Sequence, residues 1–295
     1  MRVFILGAGR VGRGLAGALG ASGVSVIGLH GRRAEQGITA GALPPTVDEA
    51  DVVIVAVRDA QLDGALREIV APLRAGAGRR VASPAATAAR SVVLHVSGSS
   101  TPQALGELRA LGHPAGTFHP LVPIAEPAHA GDRLRGAWIG LDGDQPAIDS
   151  GRVLARHLGA STLVIPAGEK ARYHAAAVFA SNFPAVLAAM AGELMRATGV
   201  STTDARSAVT ALLRASVENL HDGEPVSVLT GPIARGDAAT VRAHLAALAG
   251  DERVIEVYRA LSAAAVDLLA ADPNADRTRL AEIAAALEQA NPARD

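Results

Sequence analysis

The chain has 295 residues, with 28 basic against 29 acidic side chains, a net charge of −1, 49% hydrophobic residues and no cysteine. That length suggests one large domain or two ordinary ones, with enough core to fold without cross-links. The lack of cysteine excludes disulfides, thiolate metal sites, iron–sulfur clusters and a cysteine nucleophile, and fits a reducing, cytoplasmic setting. Near-neutral charge without a long basic run argues against a nucleic-acid surface.

The first half alternates short apolar runs with helical patterns, which predicts an α/β fold with a doubly wound parallel sheet and crossover helices. Arg2 to Leu6 predicts a strand, Val11 to Ala21 a helix and Val24 to Leu29 a second strand. The unbroken apolar run Val52 to Val57 predicts a strand buried on both faces. Leu62, Ala65, Leu66, Ile69, Val70 and Leu73 then recur at helical spacing. Arg74 to Arg90, rich in Ala, Gly and Arg, predicts a loose surface segment, and Val92 to Val96 the next strand. Thr101 and Pro102 predict the start of a helix that ends before Gly112.

Ala115 to Phe118, Ala137 to Leu141 and Thr162 to Ile165 predict three further strands, the last two separated by a helix from Pro146 to Leu158. From Gly168 onward only helical patterns follow: Glu169 to Thr198, Thr203 to Leu220, Asp237 to Leu248, Glu252 to Ala271 and Arg277 to Ala290. A boundary near Pro166 therefore separates an α/β domain, residues 1–166, from an all-helical domain, residues 167–295. Tyr173 to Gly192 carries no Asp, Glu, Lys or Arg, yet His174, Ser181, Asn182 and Pro184 inside it predict a buried core helix rather than a membrane span.

Gly7-Ala8-Gly9-Arg10-Val11-Gly12 is a GxGxxG that follows a predicted strand and opens a predicted helix. The glycines permit the tight turn, the close approach of a pyrophosphate and the packing of helix on strand, and the helix start offers N–H groups to the anion. The second strand ends at His30-Gly31-Arg32-Arg33, where an NAD-binding domain usually places an acid for the ribose hydroxyls. Two arginines suit a 2′-phosphate instead and point to NADP(H); the alternative is a solvated surface pair. Val57, Arg58, Ser97 and Gly98 at later strand ends complete the candidate cofactor set.

Ser97 and His119 stand at neighbouring strand ends, where a nicotinamide would lie, and a histidine there can exchange a proton with a carbonyl oxygen or simply brace its loop. On the first helix of the second half, Lys170, His174 and Asn182, with Tyr173 and Ser181 alongside, form a polar stripe that needs either ligand or protein partners. Lys170 is the only lysine against 27 arginines, which hints at a role that a bulky, always-charged fork cannot fill. The loop containing Thr230, Gly231 and Arg235 can offer N–H groups and a guanidinium to a carboxylate, or can be a plain connector. No histidine spacing matches a metal motif.

Taken together, the GxGxxG, the Val96-Ser97-Gly98-Ser99 segment, His119-Pro120-Leu121, the Tyr173-His174…Ser181-Asn182 helix and the Leu229-to-Asp237 loop resemble the bacterial Rossmann-like proteins that carry a DUF2520 C-terminal domain. Their layout is similar to the 6-phosphogluconate dehydrogenase-like group, including pyrroline-5-carboxylate reductase, ketopantoate reductase and prephenate dehydrogenase. The resemblance implies a Rossmann domain binding NADP(H), a helical domain that forms a homodimer, and hydride transfer to a small carboxylate substrate, ketopantoate first. It implies His119, Lys170, His174, Asn182 and Ser97 as catalytic candidates, with Ser181, Thr230, Gly231 and Arg235 for substrate. The same resemblance leaves room for an NADP(H) sensor without turnover, or for oxidation of a cyclic acid in the manner of prephenate dehydrogenase. No metal, nucleic acid or membrane enters the expected chemistry.

Overall fold

The computed structural model describes residues 1–81, 90–100 and 105–289. The strands are Arg2–Leu6 (β1), Ser25–His30 (β2), Val52–Val55 (β3), Val92–His95 (β4), Ala115–Pro120 (β5), Trp138–Gly143 (β6) and Ser161–Val164 (β7). They form one sheet in the order β2-β1-β3-β4-β5-β6-β7. Its helices are Arg10–Ala21 (α1), Leu62–Val81 (α2), Gly106–Ala110 (α3), Ala130–Leu134 (α4) and Gln145–His157 (α5).

Successive strand residues point to opposite faces, so an unbroken apolar run feeds two cores. Val3, Ile5, Val52 and Ile54 pack with Leu15 and Leu19 of α1 on one face. Phe4, Leu6, Val53 and Val55 pack with Leu66, Ile69 and Leu73 of α2 on the other. The reversal of strand order at β1 opens a crevice at the strand C-termini, the place where such sheets take ligands.

The structure departs from the expected parallel sheet at one pair: β6 runs antiparallel to β5, with Thr117 opposite Asp142 and His119 opposite Gly140. An antiparallel neighbour needs no full helical crossover, and the β5–β6 connection carries only the short α4 besides a single 3-10 turn. The expected loose segment at Arg74 is also corrected, because α2 continues through it to Val81. Alanine and arginine are strong helix formers, which sustains the helix past Pro72. The rest of that segment, and the helix start expected at Thr101 and Pro102, lie outside the described residues.

After β7 the chain is helical: Lys170–Ala197 (α6), Thr202–Asp222 (α7), Pro225–Val228 (α8), Pro232–Arg235 (α9), Ala238–Ala247 (α10), Glu252–Ala270 (α11) and Arg277–Gln289 (α12). Two compact units result, Met1–Asn182 and Phe183–Asp295, and the division falls inside α6. The second unit has its own core, built from Val241 and Leu245 of α10, Ile255 of α11, and Ile283 and Leu287 of α12. Asp237 and Asp251 cap α10 and α11 by accepting the N–H groups of Thr240 and Val254.

The buried core helix expected between Tyr173 and Gly192 is not what forms. Along α6 only Lys170 and Met190 are buried, and Val186 and Leu194 face solvent. The reason is geometric. A helix of 28 residues is about 42 Å long, and the core of the second unit is supplied by α10 to α12. By length and mean hydropathy, 1.5 over its most apolar window, α6 could also cross a membrane.

Candidate active site

The glycine turn is built as the motif requires. Gly7 has φ of +115°, and a Cβ there would lie 2.3 Å from the Ala56 carbonyl oxygen. A Cβ on Gly12 would lie 1.8 Å from the Gly7 carbonyl oxygen, so α1 packs against the turn with no room for a side chain. At Gly9 nothing stands within 4 Å of the same position, leaving open space at the N-cap of α1. The ladder of α1 begins with the Arg13 N–H donating to the Gly9 carbonyl, so the N–H groups of Arg10, Val11 and Gly12 precede it. The turn therefore fits a dinucleotide pyrophosphate on its own geometry.

Arg13, which motif reading passed over, braces this turn. Its Nε donates to the Ala8 carbonyl at 2.9 Å while its terminal nitrogen pairs with Glu35 at 2.8 Å. The one acid just beyond β2 is thereby engaged with Arg13. Arg32 and Arg33 are exposed and make no ion pair among the described residues, which leaves both guanidinium groups available to an anion. His30 instead is buried, with Nδ1 2.9 Å from the Thr39 hydroxyl, so it holds the β2 end in place. Val57 is half-buried and Arg58 exposed just beyond β3.

A polar cluster is built on the last residue of β4, His95, and on β5 and β6 beside it. Lys170 is 3% exposed; its ammonium donates to the Thr117 hydroxyl and lies 3.5 Å from the Asp142 carboxylate. Thr117 is in turn 3.2 Å from Nε2 of His95, which is fully buried. Burial pushes Lys170 down to about 8, against the pull of Asp142 and Asp59 toward the charged form. Burial likewise raises the Asp142 carboxyl, despite the neighbouring ammonium. Burial lowers His95 to about 3, with Lys170 adding to the effect, so this ring is neutral at pH 7.

His119 stands two residues beyond Thr117 on the same face of β5. Its Nδ1 is 2.8 Å from the Tyr173 hydroxyl, and the two rings meet edge to face. Burial, then the proximity of His174 and Lys170, lowers His119 to about 4, and burial raises Tyr173 to about 12. Both groups are therefore neutral around pH 7. Gly98 lets the two histidines close in: a Cβ there would lie 2.5 Å from His174 Nδ1 and 2.8 Å from His119 Nε2. His174 Nδ1 is buried and has no hydrogen-bond partner among the described residues.

The loop after β4 is fixed from below. Ser97 Oγ accepts the Ser100 N–H at 3.0 Å, and the Ser99 hydroxyl donates to Asp59 at 2.5 Å, joining the loops that follow β3 and β4. Burial opposes ionisation of Asp59, but hydrogen bonds from Ser99 and Ser97 outweigh it and lower its carboxyl. Ser97, Gly98, His119, Lys170 and His174 thus come together, joined by Thr117, Asp142, His95 and Tyr173, which the sequence did not single out as catalytic.

Ser181 and Asn182 do not join them. Asn182 lies about 12 Å further along the axis of α6 than His174, and both residues are exposed. The Ser181 hydroxyl is within hydrogen-bond reach of the Ala177 carbonyl at 2.7 Å and of Asn182. In the second unit, Gly231, with φ of +95°, caps the short helix α9 that ends at Arg235, and Thr230 precedes it. The Arg235 carbonyl accepts from Arg279.

The sheet and glycine turn define a Rossmann-type dinucleotide-binding architecture followed by a helical region. Residues 137–265 match the family model described as Domain of unknown function (DUF2520). No curated protein matches the chain. Among solved structures, a protein of Thermotoga maritima is similar at 20% identity and a TM-score of 0.66, over 90% of this chain and 97% of that one. Plasmodium falciparum pyrroline carboxylate reductase with NADP bound is similar at 11% identity and a TM-score of 0.59, over 98% and 97%. An imine reductase from Myxococcus stipitatus in complex with NADP+ is similar at 17% identity and 0.59, over 96% and 99%.

Proposed function

We propose that this protein is an NADP(H)-dependent reductase of a small carboxylate-bearing carbonyl or imine, with a 2-oxo acid such as ketopantoate as first substrate. The observation that carries the reading is the pairing, within one unit, of a glycine turn shaped for a pyrophosphate with a cluster of half-buried His119 and His174 and buried Lys170 at the same sheet. The NADP-bound pyrroline carboxylate and imine reductases that share the fold support it, as do Arg32 and Arg33 beyond β2, which make no ion pair among the described residues.

NADPH, when bound, supplies a hydride. The chain supplies the rest of what carbonyl reduction needs: a group that holds the oxygen and a proton for it. In this reading His119 and His174, which pack together on Gly98, are the groups that meet the oxygen. Lys170, near 8, is charged at neutral pH yet gives up its proton at modest cost, and it regains that proton from water. Asp142 and Thr117 keep its ammonium in place. The sink for negative charge developing on the oxygen is thus a buried cation with fixed partners.

We further propose that two copies pair through the helical unit. Leu194 of α6, Leu212, Val217 and Leu220 of α7, and Leu261 and Leu268 of α11 are large and exposed, more apolar surface than a lone soluble chain usually shows. A cleft of about 190 Å³ lined by Ala188, Ala189, Gly192, Ala205 and Val209 lies among them, and small residues there permit close approach of a partner helix.

The test is to mix purified protein, NADPH and a panel of 2-oxo acids and cyclic imino acids, and to follow loss of reduced-nicotinamide absorbance. Turnover that is abolished in Lys170→Ala and in His119→Ala, with NADPH affinity retained, is expected. Tight NADPH binding without turnover across the panel overturns the reductase reading.

A further inference from the structure

A neutral imidazole has two chemically distinct nitrogens and must present the right one to the substrate. The contact between His119 and Tyr173 answers this. The Tyr173 hydroxyl is 2.8 Å from His119 Nδ1, and His119 is its only hydrogen-bond partner among the described residues. The pair is admitted by Gly140, the cross-strand neighbour of His119 on β6: a Cβ on Gly140 would lie 2.1 Å from the phenol oxygen. Gly140 has an ordinary strand conformation, so the glycine serves space and not backbone freedom.

Two arrangements of the proton are conceivable. If Nδ1 carried it and donated to the phenol, the phenol's own proton would be left without an acceptor among the described residues in this half-buried site, at the cost of an unmade hydrogen bond. If the phenol donates to Nδ1, the phenol proton has its acceptor and the ring proton moves to Nε2, which is then a donor that a ligand or water must meet. Nε2 lies on the side of the ring that packs against Gly98 and the loop after β4.

We propose that Tyr173 is a positioning residue that fixes His119 in the Nε2–H tautomer, so that the site presents a neutral hydrogen-bond donor to an acceptor oxygen. This rests on the reductase reading and narrows its substrate class: a donor at Nε2 suits a carbonyl oxygen and opposes a protonated imine, whose nitrogen carries a hydrogen of its own. Protonation behaviour agrees, since burial keeps the imidazole neutral and the phenol protonated across the neutral range. Tyr173 itself touches His119, not the reacting atoms.

The experiment has two arms. In the first, protein labelled with nitrogen-15 in histidine is examined by long-range nitrogen–proton correlation NMR, with His119 assigned through His119→Gln. The expected spectrum has a protonated Nε2 and an unprotonated Nδ1 in the wild-type protein, and a mixture of tautomers in Tyr173→Phe. A wild-type His119 protonated at Nδ1 overturns the proposal, whatever the enzyme turns over. In the second arm, Tyr173→Phe is expected to lower kcat for a 2-oxo acid about tenfold, the worth of one buried hydrogen bond, while KM and NADPH affinity stay within about twofold.

Gly140→Ala, which pushes the phenol away without removing it, is expected to give the same loss, with no further loss in the double variant. Additive losses, or an unchanged kcat in Tyr173→Phe, overturn the positioning role. If no panel compound is turned over, the reductase reading fails, and the tautomer assignment is still decided by the spectrum.

Discussion

Removing the charge of Lys170 gives the sharpest test of how burial governs this site. Its ammonium is 3% exposed and falls from the usual 10.5 to about 8, chiefly through desolvation. The unfolded chain therefore holds a proton that the folded chain has lost throughout that window, and the stability of the folded state rises with pH there. Below pH 8 both states are charged and the folded state carries the full penalty; above 10.5 the penalty is gone. The difference corresponds to about 3 kcal/mol.

Lys170→Met removes this pH dependence but also leaves Asp142 without its cation, so the offset at one pH is uninformative and the slope is the quantity to read. Urea unfolding of both proteins at intervals from neutral pH to 10.5 is expected to show wild-type stability gaining about 3 kcal/mol relative to the variant, nearly all of it above pH 8. Tyr173, raised to about 12, acts in the opposite direction above pH 10 but is common to both proteins. Parallel curves across the window would refute the claim that Lys170 is held below its ordinary range. The same titration should appear in activity, with kcat declining above about pH 8 if this ammonium supplies the proton.

On the acid side, His119 and His95 are held by burial at about 4 and about 3, below the usual 6.5. The unfolded chain takes up their protons first, so stability should fall as pH drops from 6.5 through 4, by about 3 kcal/mol for His119 alone, and His119→Asn should flatten that part of a Tm-against-pH curve. Replacing Arg32 and Arg33 together by serine should raise the Kd for NADPH about ten- to a hundredfold, as for a lost charge-assisted hydrogen bond, and leave that for NADH nearly unchanged; equal effects on both coenzymes would deny these arginines a 2′-phosphate. Gly98→Ala places a methyl 2.5 Å from His174 Nδ1 and should cost about 1–3 kcal/mol by overpacking, read as a lowered Tm with loss of turnover. Light scattering should find a dimer that Leu212→Glu with Val217→Glu converts to monomer; a monomeric wild-type protein, or one that partitions onto lipid vesicles, would remove the pairing proposal.

Much of the fold was legible because its signals are local. The run Val52-Val53-Ile54-Val55 reads as a doubly buried strand and packs on both faces, and the glycines at 7, 9 and 12 announce a turn whose geometry then obeys them. Lys170 drew notice through composition alone, as the one lysine among the basic residues, and it is the buried cation of the cluster. Sequence periodicity also marked α6 as a long apolar helix. It could not say what covers that helix, because exposure depends on what else packs there.

What only the tertiary structure decided is which groups answer one another. Asp142 and Gly140 carry no motif, and they reach Thr117 and His119 solely because β6 runs antiparallel to β5 and sets those residues opposite one another. A parallel β6, as the alternating pattern suggested, would have put them in other company. Nor does sequence contain the desolvation that shifts Lys170, His119 and Tyr173, since it arises from many distant atoms excluding water at once. Chain order fixes where a side chain leaves the backbone; strand direction and the packing around it determine its partner and its charge.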